Sequence, residues 1–227
     1  MKGFAFLIFM LLGIQVYAQI SLDDVDYSQV KYRKVRHYIH NQLDRNVKTI
    51  YDIKPSVEAG TDLSFYKSVR KSYLIEDSYL NVWDTYVKTS PAESWEGRRF
   101  SFGMLVSPAL DHIVYRRGKS CAINKGLVVY LELRFLEGIY RSAMAFEIIN
   151  VNKKQGIIEF SYLEGNFTHG LQRLQFRPTS EGFTEIIHTS FYKSQSKFHD
   201  KILYPFFHNR VINEFHRRLR RRMKRNS

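Results

Sequence analysis

The chain changes its hydrophobic period once, near residue 195, and that switch limits its fold more than any other feature. Upstream, apolar and polar residues alternate. Segments 131–135, 144–148 and 158–162 put every second side chain on one face, as half-buried strands do. Downstream, Phe207, Val211, Phe215, Leu219 and Met223 stand four apart with Ile212 beside them. That spacing writes an apolar stripe along one long helix.

Further strands are expected at 69–75, 100–106, 174–176 and 184–192, with a weaker one at 113–116. Turn residues at 152–156, 165–170 and 178–182 separate the later ones. Strands so regularly spaced, with short links, predict an antiparallel meander. After the first strand, Asp77 or Ser78 can cap a helix through Tyr79, Val82, Trp83, Tyr86 and Val87. Ser90-Pro91 interrupts it, and a short second piece carries Trp95 as far as Gly97. A sheet with one apolar face must be covered, and the long late helix is the element that can cover it. Pro205 suits the first turn of that helix, or a kink in one starting near Ser196. The expected class is α+β: a curved antiparallel sheet wrapped around a C-terminal helix, with a cavity between them.

An extra N-terminal helix is read over 25–47 from Val25, Tyr32, Val35, Tyr38, Ile39 and Leu43. Pro55 and Gly60 mark a loop over 52–64. The organisation expected is a leader over 1–18, helix and linker over 19–66, and the main domain over 67–227. The leader follows from Lys2, an apolar run over 4–14, and small residues Val16 and Ala18 at the −3 and −1 positions. Such a run is shorter than the roughly 20 residues that span a bilayer. The expectation is export to the periplasm or medium, with cleavage after Ala18.

Charge and cysteine narrow the partners. A formal charge of +13 favours anionic surfaces such as phospholipid head groups, and export argues against nucleic acid. The single Cys121 permits no intrachain disulfide and no cysteine metal cluster, and reads as a thiol buried in a strand. At 227 residues, the chain is long enough to build its own core.

With these elements in order, the sequence resembles the START-like (SRPBCC) helix-grip superfamily over about 68–222. The likeness rests on Tyr79-Leu80-Asn81-Val82-Trp83 after the first strand. It rests too on Phe160-Ser161-Tyr162-Leu163-Glu164-Gly165 followed by Gly170-Leu171-Gln172. The latter looks like an uncharacterised domain family of that superfamily, in which a strand reading F-x-Y-x-x-G precedes the final strands and helix. The resemblance implies a cavity for hydrophobic or amphipathic molecules, since members are lipid or sterol carriers, hormone receptors or cyclase-type enzymes. It supplies no universal catalytic residue to carry over.

The inward candidates for ligand contact are Leu131, Leu133, Phe135, Phe146, Phe160, Tyr162, Phe176, Phe207, Val211 and Phe215, with His188 as a polar anchor. The candidates for an anionic surface are Arg217, Arg218, Arg220, Arg221, Arg222, Lys224 and Arg225. A solvated helix end explains the same run, because the helix dipole favours cations there. His37, His40 and Asp44 share a helix face at metal-ligand spacing, but read as a solvated polar face. Two Ser-x-x-Lys pairs, Ser64–Lys67 and Ser190–Lys193, lack the partner motifs of acylating enzymes. Asn166-Phe167-Thr168 is a glycosylation sequon and agrees with a surface turn. No metal or cofactor is expected.

The leading function is non-enzymatic binding of a lipid or other hydrophobic molecule between sheet and helix. The alternatives are an envelope interaction module docking through the basic tail, and a cyclase- or hydrolase-like enzyme with converging polar groups in the cavity.

Overall fold

A computed structural model describes residues 20–58, 60–116, 118 and 121–226. The leader expected over 1–18 lies outside the described residues.

The strands are β1 (Lys67–Ile75), β2 (Phe100–Val106), β3 (Val114–Tyr115), β4 (Val128–Phe135), β5 (Tyr140–Asn152), β6 (Ile157–Tyr162), β7 (His169–Pro178) and β8 (Thr184–Lys193). They form one curved antiparallel sheet in the order β1-β8-β7-β6-β5-β4-β2-β3. The helices are α1 (Arg33–Leu43), α2 (Tyr79–Lys88), α3 (Pro91–Ser94) and α4 (Tyr204–Asn226). The Ser78 and Ser90 side chains cap α2 and α3 by accepting from Asn81 N and Glu93 N. The fold is the helix-grip α+β arrangement.

Two bulges bend the sheet and shift the inward register. In β2 the register slips between Phe102 and Met104. Phe100, Phe102 and Leu105 therefore face the α4 side, while Met104 and Val106 face the other. A second slip, between Ile148 and Asn150, turns Ile148 toward α4 and Ile149 away.

The sheet thus carries a core on each face. The inner one joins the concave strand residues to Trp83, Tyr86 and Trp95 and to Val211, Phe215, Leu219 and Met223 of α4. The outer one joins Met104, Val106, Val128, Tyr130 and Ala145 to Ile20, Leu22, Val35, Ile39 and Ile50.

The first helix is shorter than the one read from the sequence. Asp26 folds back on its own chain, accepting from Ser28 N, Ser28 Oγ and Gln29 Nε2. Such an Asx turn competes with helical hydrogen bonding, so the helix begins only at Arg33. Cys121 is half-buried in the loop before β4, not in a strand. Among the described residues, no helix is long and apolar enough to cross a membrane.

Candidate functional site

The hollow between sheet and helix is filled at one end and empty at the other. Aromatic rings fill it where α2 and α3 enter. Trp83 and Tyr86 pack edge-on against Phe176, and Trp95 stacks on Phe215 at 4.3 Å. Phe146 lies 5.5 Å from Trp95 by ring centroids, and Leu131 is fully buried. Leu131, Phe146, Phe176 and Phe215 are thus packed core and do not line the open cavity.

The remaining space is a cavity of about 540 Å³. Leu133, Phe135, Phe160, Tyr162, His188, Phe207 and Val211 line it, so seven of the residues read from the sequence meet there. Its mouth lies between the β4–β5 turn, the β6–β7 turn and the start of the C-terminal helix. There the lining side chains Leu136, Tyr140 and Phe167 are exposed. The helix begins at Lys197, widens to a π turn over His199–Leu203 and tightens into α4. Tyr204 N bonds His199 O across that wide turn. The extra width accommodates Pro205, which has no N–H to give.

The inner end is polar, and nearly all of it escaped the sequence reading. Neighbouring strands place Gln172 opposite Ser190 and Leu174 opposite His188, so Gln172, His188 and Ser190 share the concave face. One side of α4 adds Tyr204, His208 and His216, spaced four and eight apart. The Tyr86 hydroxyl lies 2.6 Å from His216 Nδ1, and His216 Nε2 lies 2.9 Å from His188 Nδ1. His188 Nε2 lies 2.9 Å from Gln172 Oε1. The Gln172 amide donates to the hydroxyls of Tyr162 at 2.8 Å and Tyr204 at 2.9 Å, which are themselves 2.9 Å apart. Ser190 Oγ donates to Gln172 Oε1 and lies 2.8 Å from His208 Nε2.

Burial keeps this cluster uncharged. It depresses the pKa of His216 and of His208 to about 3, with Arg220 beside the first and Lys71 beside the second adding to the effect. His188 is lowered well below the ordinary value by burial, then by His216 and His208. Burial also raises Tyr162 to about 12, against the opposing bonds from Tyr204 and Gln172, and holds Tyr204 well above the usual phenol value. Among the described lining residues there is no Asp, Glu, Lys or Arg.

The other candidates are scattered. His37 and His40 are exposed, and His40 stacks on Tyr27 at 4.4 Å. Ser64 bonds Asp62 in a loop, and Lys193 sits over the Tyr66 ring. The Asn166 amide is spent on the backbone of Ala145 and Leu163, which fixes the β6–β7 turn. In the basic tail, Arg218 and Arg222 reach Glu93, and Arg220 reaches Leu74 O. Arg217, Arg221, Lys224 and Arg225 are exposed. From Phe207 at the cavity to Arg225, the helix rises roughly 27 Å.

No protein-family model matches the chain, and no curated protein is similar to it. Solved structures are similar in fold. An aromatase/cyclase from Streptomyces, Zhui, matches with a TM-score of 0.53 at 9% identity over 70% of this chain and 94% of that one. Norcoclaurine synthase from Thalictrum flavum, in complex with dopamine and hydroxybenzaldehyde, matches with a TM-score of 0.52 at 13% identity over 71% and 88%. The KanY protein matches with a TM-score of 0.52 at 10% identity over 70% and 98%.

Proposed function

We propose that this chain binds a lipid or other hydrophobic small molecule in the cavity between the sheet and the C-terminal helix. One observation carries the reading: a space of about 540 Å³ lined by aromatic and aliphatic side chains, inside an otherwise filled core. Protein interiors pack as densely as organic crystals, so a void of this size is not an accident of folding. Small-molecule sites typically run to roughly 300–1,000 Å³, mostly apolar with a few placed polar groups. The likeness in fold to structures that include a norcoclaurine synthase holding two small aromatic molecules agrees with this.

Binding is favoured over acid–base catalysis. An imidazole with a pKa of about 3 is a poor base at neutral pH, and no carboxylate or amine joins it on the described wall. Within this reading the chain works outside the cytoplasm, its leader removed after Ala18. The apolar run over 4–14, the small residues at 16 and 18 and the lone cysteine support that placement.

Native mass spectrometry of the gently purified protein tests the proposal. The expected result is an adduct of lipid-like mass, and a higher melting temperature when that molecule is added back. A protein that arrives empty, and whose melting no apolar molecule shifts, overturns it.

A second reading, docking to an anionic membrane, has its own support. Arg217, Arg221, Lys224 and Arg225 recur at helical spacing on one exposed face of α4. That face lies at the far end of the helix from the cavity mouth, so the two readings are independent.

A further inference from the structure

We infer that the rim of the cavity is a bilayer-docking surface, which seats the mouth on the acyl layer so that the ligand enters without crossing water. The inference rests on the ligand-binding reading above and concerns a different surface from the basic end of α4.

Exposed apolar side chains are concentrated at the mouth. Among the described residues, ten large ones are exposed, and seven of them stand on the three segments that frame the opening. Ile139, 87% exposed, stands between Leu136 and Tyr140 where β4 turns into β5, and Phe167 lies in the β6–β7 turn. Phe198, Ile202 and Phe206 stand at the start of the helix, each one residue before a lining side chain, His199, Leu203 or Phe207. Ring contacts join the rim to the interior. Phe206 lies 5.0 Å from Phe207, Phe207 lies 4.7 Å from Phe135, and Phe135 lies 5.9 Å from Tyr140. Phe167 sits edge-on to His199 at 4.8 Å. Single exposed apolar side chains are normal on a protein surface, but a cluster marks a partner.

The chemistry of the rim fits a lipid bilayer. At the helix start, basic and apolar side chains are interleaved: exposed Lys197 beside Phe198, exposed Lys201 beside Ile202, and Arg210 over the Phe206 ring at 3.4 Å. The acids exposed on the framing segments are Glu137, which pairs with Arg98, and Glu164. Aromatic and aliphatic groups set among Lys and Arg suit an anionic membrane interface, where the apolar groups enter the acyl boundary and the cations stay among the head groups. Leu136, Tyr140 and Phe167 line the cavity as well as the rim, so apolar surface continues from the mouth into the interior. A second copy or another protein seated on the rim would stopper the opening that the ligand uses. A bilayer supplies apolar molecules through it.

Flotation of the full chain with vesicles of phosphatidylcholine and phosphatidylglycerol tests this. The chain should float with them and stay bound at high salt, because apolar insertion outlasts the screening of charge. Combining Ile139→Gln, Phe198→Gln and Ile202→Gln, at positions that do not line the cavity, should weaken vesicle binding by about tenfold or more. Ile139→Gln alone, at the most exposed of the seven positions, should weaken it by about threefold and carries the test if the triple variant misfolds. Trp95 lines the cavity, so its fluorescence reads occupancy. The affinity of a long-chain alcohol read this way should stay within about twofold in the triple variant, since exposed substitutions leave the interior intact. A full chain that ignores the vesicles, or a triple variant that binds them as tightly, overturns this inference and leaves the cavity's ligand role standing. A dimer by light scattering that the triple variant splits, with vesicle binding unchanged, assigns the rim to a second copy and overturns it too. If neither the alcohol nor the vesicle lipids change Trp95 emission, the ligand-binding proposal fails and this inference falls with it.

Discussion

His188, His208 and His216 share one small volume, and burial there makes stability depend on pH in a calculable direction. An unfolded histidine titrates near 6.5. In the fold, burial takes His208 and His216 to about 3 and His188 well below its ordinary value. Between those limits the unfolded chain binds protons that the folded chain refuses. The contribution is therefore complete above about pH 6.5 and is lost as pH falls toward 3. The carboxylates with lowered values, such as Asp26 and Asp200, act below the range from about pH 7 to about pH 5, while Glu147, raised by burial, works against the histidines toward its acid end. Urea unfolding across that range should show stability falling by about 1.4 kcal/mol per pH unit for each proton taken up. His208→Asn should have a shallower slope. A flat profile would mean that the imidazoles are charged or solvated in the fold. At this scale His188 was legible as a candidate polar anchor in the last strand, but the sequence alone did not settle which face of that strand points inward. Gln172 and Ser190 were not, because their meeting depends on the β7–β8 register. The signal that could have found the rest is the second stripe on the last helix, Tyr204, His208, Ile212 and His216, which the stronger aliphatic stripe beside it hid.

Along the last helix, two faces do different work. Leu219 and Met223 are buried in the inner core, while Arg217, Arg221, Lys224 and Arg225 recur on the exposed face. Removing the whole tail would therefore damage the core, and charge must be removed alone. Changing these four residues to Gln should leave the melting temperature within about a degree, because exposed substitutions cost little. If the tail docks, the same change should weaken binding to phosphatidylglycerol vesicles by at least tenfold, and the remaining binding should lose its salt dependence. Unchanged vesicle binding in a flotation assay would assign these charges to a solvated helix end. The elements themselves were largely legible. The four-residue period marked α4, Pro205 marked its irregular start, and strict alternation marked β4, β5 and β6. The bulges in β2 and β5 were not, since a slipped pair is a property of two strands together and neither sequence shows it alone.

Across the whole molecule, the largest surprise is the outer face of the sheet. Strand β2 is buried along its full length, and β4 is buried at Val128, Val129, Tyr130 and Leu131. Apolar runs of this kind belong to strands covered on both faces. Only one cover was read from the sequence, the C-terminal helix. The second is the N-terminal segment, whose Val35 and Ile39 pack with Met104, Val128 and Tyr130. It is also tied down by hydrogen bonds. The Tyr38 hydroxyl donates to Glu164 O at 2.6 Å, Ser56 N donates to Tyr162 O at 2.7 Å, and Val57 N donates to Ser161 Oγ at 3.0 Å. The last two brace β6, the strand that carries Phe160 and Tyr162 to the cavity. The sequence marked a polar amphipathic helix at 25–47 but gave no partner for its apolar side, because the pairing spans far-separated parts of the chain. A chain lacking residues 20–53 should therefore expose a broad apolar sheet face. It should aggregate or unfold without cooperativity by calorimetry, and Trp95 should lose its response to cavity ligands. A shortened chain that stays monodisperse and melts with the full chain would show that the sheet holds its shape alone, and that the N-terminal segment is only attached to it.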